Sequence, residues 1–385
     1  MIPAARLQAA IEILDQVITA ARDGGAAADT IIQRYFSTRR YAGSKDRRAV
    51  RDLVFAVIRS LGERPVSGRA AVIGHARAHD PELLALFGAG GHGPPTLVHG
   101  EPAAVPGVAP AWLERMLIDR FGADAERQAL ALLDRAPLDV RVNALRATRA
   151  AVLADHADWE NLPSTAHGVR LPSGTNVEAL PEYQAGQIEV QDAGSQIAAA
   201  LLAARPGETV VDLCAGAGGK TLALAADMGG PEETGGRLIA CDTDRARLSQ
   251  LAPRAERAGA AVETRLLNPG AEAQALADLM GQCDAVLIDA PCSGSGTWRR
   301  NPESRWRLTP QRLQRLVATQ AMLLQLGTAL LRPGGRLVYI VCSLLPAEGE
   351  AQLAATPGLS PWQTRVLTPA DDGCDGFFIA QSSRL

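Results

Sequence analysis

From about Gly186 onward the chain alternates between short, mostly apolar runs and segments with helical spacing. Strands are expected at 209–213, 237–241, 262–266, 284–288 and 335–341. Strands separated by helices build a parallel sheet, because a parallel neighbour is reached only through a crossover connection. The pattern therefore predicts an open α/β sheet with helices on its faces. In such sheets ligands bind outside the carboxyl ends of the strands, so the residues just after each strand carry the functional information.

Two strand ends carry a cysteine: Cys292 in Asp289-Ala290-Pro291-Cys292-Ser293, and Cys342 in Tyr339-Ile340-Val341-Cys342-Ser343. A single cysteine in apolar surroundings is usually inert packing, and Cys214, Cys241, Cys283 and Cys374 are read that way. Two at corresponding strand ends, one after Asp-Ala-Pro and one before Ser, are expected to face a single pocket. A thiolate there is a good nucleophile toward an electron-poor ring carbon. No C-x-x-C occurs, so neither a disulfide framework nor a zinc site is expected, and the natural setting is a reducing cytoplasm.

The first of these strands runs into Cys214-Ala215-Gly216-Ala217-Gly218-Gly219-Lys220-Thr221 and then a helix. Such a turn lets backbone approach a ligand and aims helix N–H groups at it. Three protein classes use one. A dinucleotide fingerprint needs a third glycine where this chain has Thr221, and a P-loop needs a glycine where it has Cys214. Gly219-Lys220-Thr221 and the Walker-B-like strand ending at Asp289 keep a nucleotide triphosphatase open at this stage. The third class binds S-adenosylmethionine and is favoured by Asp242, which ends the next strand where a carboxylate can accept both hydroxyls of a cofactor ribose. Lys220 is conspicuous because the chain has only one other lysine, Lys45, among 39 basic residues.

The first half reads differently. Residues 3–88 show helical periodicity, the Gly/Pro-rich stretch from Gly88 to Pro110 reads as a linker, residues 110–135 as helix, and Val140-Arg141-Val142-Asn143 opens a small α+β segment. His75, His79, His92 and His99 read as surface histidines, not as a metal site. Glu12 and Asp15 interrupt the apolar N-terminal stretch, and no uncharged run approaches the roughly 20 residues of a membrane span, so a soluble protein is expected. The net charge of −3 gives no global nucleic-acid signal, but nine basic residues stand against three acidic ones between Arg34 and Arg64. A second cluster, Arg299, Arg300, Arg305, Arg307, Arg312 and Arg315, follows Cys292 and is expected to grip phosphates near a reacting base. Trp298 and Trp306 beside it read equally well as stacking platforms or as core.

Several motifs together closely resemble the Sun/RsmB family of S-adenosylmethionine-dependent RNA (cytosine-5) methyltransferases, over essentially all of residues 110–385 and more loosely before them. They are Val190-Gln191-Asp192 with Ser195-Gln196, the Asp212-to-Thr221 turn, Asp289-to-Gly294 with Arg299-to-Glu303, Leu331-to-Gly335, Cys342-Ser343 and Asp375-to-Phe378. Three positions depart from the family pattern: Gly216-Ala217 replaces Ala-Pro in the turn, Val341 stands where Thr is common, and Asn268 where an Asp is usual.

The resemblance implies a Rossmann-like class I methyltransferase sheet at residues 186–385, a helical domain similar to the antitermination factor NusB at 1–88, a linker at 89–110, and a helical and small α+β segment at 111–185. It implies S-adenosylmethionine held by Cys214, Ala215, Gly216, Ala217, Gly218, Gly219, Lys220, Asp242, Asn268 and Asp289. It implies that Cys342 adds to carbon 6 of cytosine, that Asp289 binds the pyrimidine edge near N3, and that Cys292 releases the product. The partner implied is structured RNA, ribosomal by the N-terminal resemblance, with transfer RNA open. Neither a membrane nor a metal is implied, and a monomer is expected.

Overall fold

Apolar residues at helical spacing form the helices of the N-terminal region: α1 (Pro3–Asp23), α2 (Ala28–Ser37), α3 (Ser44–Ser60) and α4 (Gly68–His79), followed by α5 (Ala111–Phe121) and α6 (Ala125–Ala131). Pro3 opens α1, where its missing N–H costs nothing, and Gly24 closes it in the left-handed conformation. Leu7, Ile11, Leu14 and Val17 of α1 pack into one core with Val54, Val57 and Ile58 of α3 and Ile73 of α4. Each such buried aliphatic side chain contributes about 1.5–3 kcal/mol.

The computed structural model describes residues 1–229, 235–354 and 356–385. The chain divides into two compact units: residues 1–135 with 297–310, and 136–296 with 311–385. The expected 111–185 segment straddles this division, with α5 and α6 in the first unit and the small sheet in the second.

Three expectations for the first unit are corrected. The Gly88–Pro110 stretch, read as a linker, packs along α3 and α4: Arg69 pairs with Glu101 at 2.8 Å, Ala104 N–H donates to the Ala70 carbonyl, and Gly107 N–H to that of Ser60. His75, read as a surface residue, is buried with its Nδ1 2.9 Å from Ser60 Oγ. Three of the six arginines in the second cluster, expected to grip phosphates, are structural instead. Arg305 is fully buried, and its Nη2 donates to the carbonyls of Ile58, Arg59 and Leu61 at 2.6, 3.1 and 2.9 Å. Arg307 donates to the carbonyls of Gly25 and Ala26. Carbonyls at a helix C-terminus lack intrahelical donors, and a guanidinium supplies them. Arg299, Trp298 and Trp306 are buried too, whereas Arg312 and Arg315 are exposed.

The second unit contains two sheets. A small antiparallel one has the order β2-β3-β1-β4, from β1 (Leu138–Val142), β2 (Glu160–Asn161), β3 (Gly168–Leu171) and β4 (Ile188–Val190). The large one has the order β10-β11-β9-β8-β5-β6-β7. Its strands are β5 (Thr209–Asp212), β6 (Arg237–Asp242), β7 (Glu263–Leu266), β8 (Cys283–Asp289), β9 (Leu331–Val341), β10 (Gln363–Leu367) and β11 (Phe377–Ser383). Strands β5 to β9 pair in parallel, and β11 joins β9 antiparallel. All five expected strands are present, and the fold is the expected Rossmann-like α/β sheet. Strand order reverses between β5 and β8, and that switch point opens the ligand crevice. Among the described residues no helix is long and apolar enough to cross a membrane.

Candidate active site

The glycine turn follows β5 and leads into the helix Gly219–Met228, whose start has no capping side chain. Its first N–H groups therefore remain available to a ligand. Gly216 and Gly218 have φ of +56° and +91°, and a Cβ on Gly218 would lie 2.1 Å from Leu251 Cδ1. The turn is gripped from outside. Asp242, at the end of β6, accepts the N–H of Gly216 at 2.7 Å and that of Asp244 at 2.7 Å. Arg254 donates to the Ala217 carbonyl at 2.5 Å and to Glu189 at 2.9 Å, and Gln191 takes Arg141 Nε on one side while donating to the Gly219 carbonyl on the other.

This is a cradle of backbone with a carboxylate at its rim, which fits a ribose-bearing, sulfonium-carrying cofactor. Of the expected contacts, Cys214 to Lys220 and Asp242 form the cradle. Burial and nearby carboxylates push the Cys214 thiol well above its ordinary pKa, so its sulfur is inert there. Asn268 is exposed just beyond β7, in a backbone turn with Ala271.

Lys220 leaves the turn to pair with Asp289 Oδ2 at 2.6 Å, its side chain 10% exposed. Burial opposes its charge, but Asp289 more than compensates and the ammonium is held above its usual pKa, with Cys342 adding in the same direction. Beneath them Asp212 is fully buried and accepts the Thr221 hydroxyl at 2.6 Å, and burial pushes its carboxyl up to about 7.

The two expected thiols meet. Parallel pairing of Asp289 with Ile340 brings the ends of β8 and β9 side by side, and Cys292 Sγ lies 3.3 Å from Cys342 Sγ. The hydrogen bond to Cys342, with burial, pushes the Cys292 thiol well above its ordinary pKa. Cys241, Cys283 and Cys374 are buried in the core.

Sequence reasoning missed Arg254 and Gln320, and it missed Glu348, which sits fully buried between the two cysteine loops. The hint was the serine that follows each cysteine, since Ser293 N–H and Ser343 Oγ both reach Glu348, as does Gln320 Nε2.

Residues 199–357 match the family described as 16S rRNA methyltransferase RsmB/F. The probable ribosomal RNA small subunit methyltransferase B of Synechocystis is 37% identical over 255 residues, covering 63% of this chain and 55% of that protein. The ribosomal RNA small subunit methyltransferase B of Salmonella arizonae is 33% identical over 288 residues, covering 71% and 65%. The chain thus spans 55% to 65% of the length of these relatives. Among solved structures, PH0851 superposes with a TM-score of 0.76 at 22% identity, covering 100% of this chain and 99% of that one. A methyltransferase homologue from Pyrococcus horikoshii gives 0.61 at 26% identity, covering 70% and 94%. Residues 199–357, which hold both cysteines and the glycine turn, are a methyltransferase region of the RsmB/F, or Sun, family.

Proposed function

We propose that this chain transfers a methyl group from S-adenosylmethionine to carbon 5 of a cytosine in RNA, with Cys342 transiently bonded to carbon 6. The observation that carries the reading is the 3.3 Å approach of the two thiols beside the Lys220–Asp289 pair, at the carboxyl edge of a sheet whose next strand ends in the glycine cradle. The names of the relatives support RNA of the small ribosomal subunit as the substrate class. A P-loop nucleotidase would keep its lysine for phosphates, whereas Lys220 is committed to Asp289.

Carbon 5 of cytosine is a weak nucleophile. Addition of the Cys342 thiolate to carbon 6 pushes electron density onto carbon 5, while Asp289, held by Lys220, hydrogen-bonds the pyrimidine edge near N3 and stabilises the adduct. The bound cofactor supplies an electrophilic methyl group.

Once Cys342 is bonded to carbon 6, Cys292, with its sulfur 3.3 Å from that of Cys342, is placed to act as the base. Its thiolate then takes the carbon 5 proton, directly or through water, and the carbon–sulfur electrons return to Cys342 as the double bond re-forms. A base must leave its stack to meet these sulfurs, which favours loops or unpaired ends. The exposed Arg34, Arg40, Lys45 and Arg48 of the helical unit would hold RNA backbone, as in a NusB-like domain. The protein is read as a cytoplasmic monomer.

The test is a pair of single substitutions incubated with RNA and cofactor. Cys292→Ala is expected to accumulate a denaturation-resistant protein–RNA adduct, and Cys342→Ala to give neither adduct nor product. An adduct in the Cys342→Ala protein would overturn the division of labour.

A further inference from the structure

We propose that Glu348 is a positioning residue that sets the spacing of the two thiols; this rests on the reading of Cys342 and Cys292 as the reacting pair. A carboxyl removed from water is unfavourable unless its oxygens find donors, so a fully buried one with several donors marks a built arrangement. Glu348 is 0% exposed. Its Oε1 accepts Ser293 N–H at 2.8 Å and Gln320 Nε2 at 3.0 Å, and its Oε2 accepts the Ser343 hydroxyl at 2.5 Å. Its own carbonyl accepts the Tyr339 hydroxyl at 2.7 Å, which anchors the residue back onto β9.

The pattern of partners gives the function. Ser293 and Ser343 are the residues immediately after Cys292 and Cys342, so one carboxyl grips both cysteine loops at equivalent points. The serine hydroxyls lie 3.1 Å from each other, and Ser295 Oγ, 3.1 Å from that of Ser343, also accepts Leu344 N–H. Gln320, on the helix Pro310–Leu330, donates to the Pro291 carbonyl at 2.9 Å as well. Cys292 is therefore held on both sides, through Pro291 by Gln320 and through Ser293 by Glu348.

A sulfur that must lie near its partner both before and after a bond forms needs loops that do not drift, because a misplacement of about 1 Å costs roughly a hundredfold in rate. Glu348 touches no reacting atom, and it acts by fixing where the reacting atoms are.

The experiment reads geometry and turnover separately on the full chain. Diamide, a diazene oxidant, takes one hydrogen from each thiol and is itself reduced to the hydrazine, leaving a Cys292–Cys342 disulfide; mass spectrometry follows closure, with the other four cysteines as controls. Glu348→Ala is expected to slow closure about tenfold or more and to lower kcat by a similar factor, with KM for S-adenosylmethionine changed by less than about threefold. Glu348→Gln keeps the length and an acceptor oxygen, and is expected to restore closure to within about threefold of the parent. If Glu348→Ala does not fold, Ser343→Ala is read in its place, with closure slowed about threefold or more.

Closure at the parent rate in the variant that is read would overturn the proposal. A parent protein that closes its disulfide in a Glu348-dependent way but never methylates RNA would instead leave the positioning intact and sink the catalytic reading.

Discussion

At the ends of β8 and β9 the loops that carry the two thiols are held by side chains: the Glu348 carboxyl, the hydroxyls of Ser293, Ser295 and Ser343, and the Gln320 amide. At the end of β5, the neighbouring strand, the cradle is held through its backbone, with Asp242 on one N–H and Arg254 on one carbonyl. The difference follows from what each side must do. A nucleophile has to be aimed to a fraction of an ångström, and hydroxyls and a carboxyl can be placed around it one by one. A cofactor has to be approached closely by main chain, and only residues without a Cβ allow that, so the grip comes from behind. The two sides should therefore fail in different ways.

The largest separation is expected from Cys342→Ala, which should abolish methyl transfer while leaving the affinity for S-adenosylmethionine within about twofold by calorimetry. A large loss of cofactor affinity would mean that the two sides are not independent. The converse variant is Gly218→Ala. Left-handed backbone costs a residue with a Cβ about 1–2 kcal/mol, and the new methyl meets Leu251. Cofactor affinity should fall by about tenfold or more, while diamide closure of Cys292 with Cys342 keeps the parent rate. Slowed closure would show that the cradle also steers the thiols.

Asp242→Ala comes next. It leaves the Gly216 and Asp244 N–H groups without their acceptor, at about 1–3 kcal/mol for a buried donor, and so should weaken the cofactor about tenfold while RNA affinity is unchanged. Equal losses for both ligands would count against its place at the cofactor rim.

What was legible in the sequence was local. The strands announce themselves by apolar runs a few residues long, the cradle by five glycines and alanines in a row, and the thiols by their position just past two such runs. What was not legible depends on residues far apart in the chain. Arg305 reads as a charge that grips phosphates until it is known that the end of α3, 247 residues earlier, offers it bare carbonyls. Burial beside those carbonyls and Arg59 then pulls the guanidinium down to about 9. Glu348 reads as one more acidic residue after a strand, because its meaning lies in Ser293, 55 residues away. The Gly88–Pro110 stretch is rich in turn residues, yet its main chain finds donors and acceptors on α3 and α4, and composition is silent on that.

The smallest effect is a matter of pH and concerns Asp212, which lies under both sides. Burial lifts its carboxyl from the ordinary 3.8 to about 7 in the folded protein. A carboxyl that holds its proton more tightly when folded favours the fold fully below about pH 4, and this contribution is lost as the pH rises through 7, because the unfolded chain gives up its proton first. Asp212→Asn cannot titrate. Its amide oxygen can still accept the Thr221 hydroxyl, and any fixed cost of the amide applies at every pH and cancels from a slope. The melting temperature of Asp212→Asn minus that of the parent should therefore climb by a few degrees between pH 4 and pH 8. A difference that stays flat would mean that Asp212 is ionised in the folded protein, in which case its charge beneath Lys220 would have to be counted with that of Asp289 in holding the ammonium.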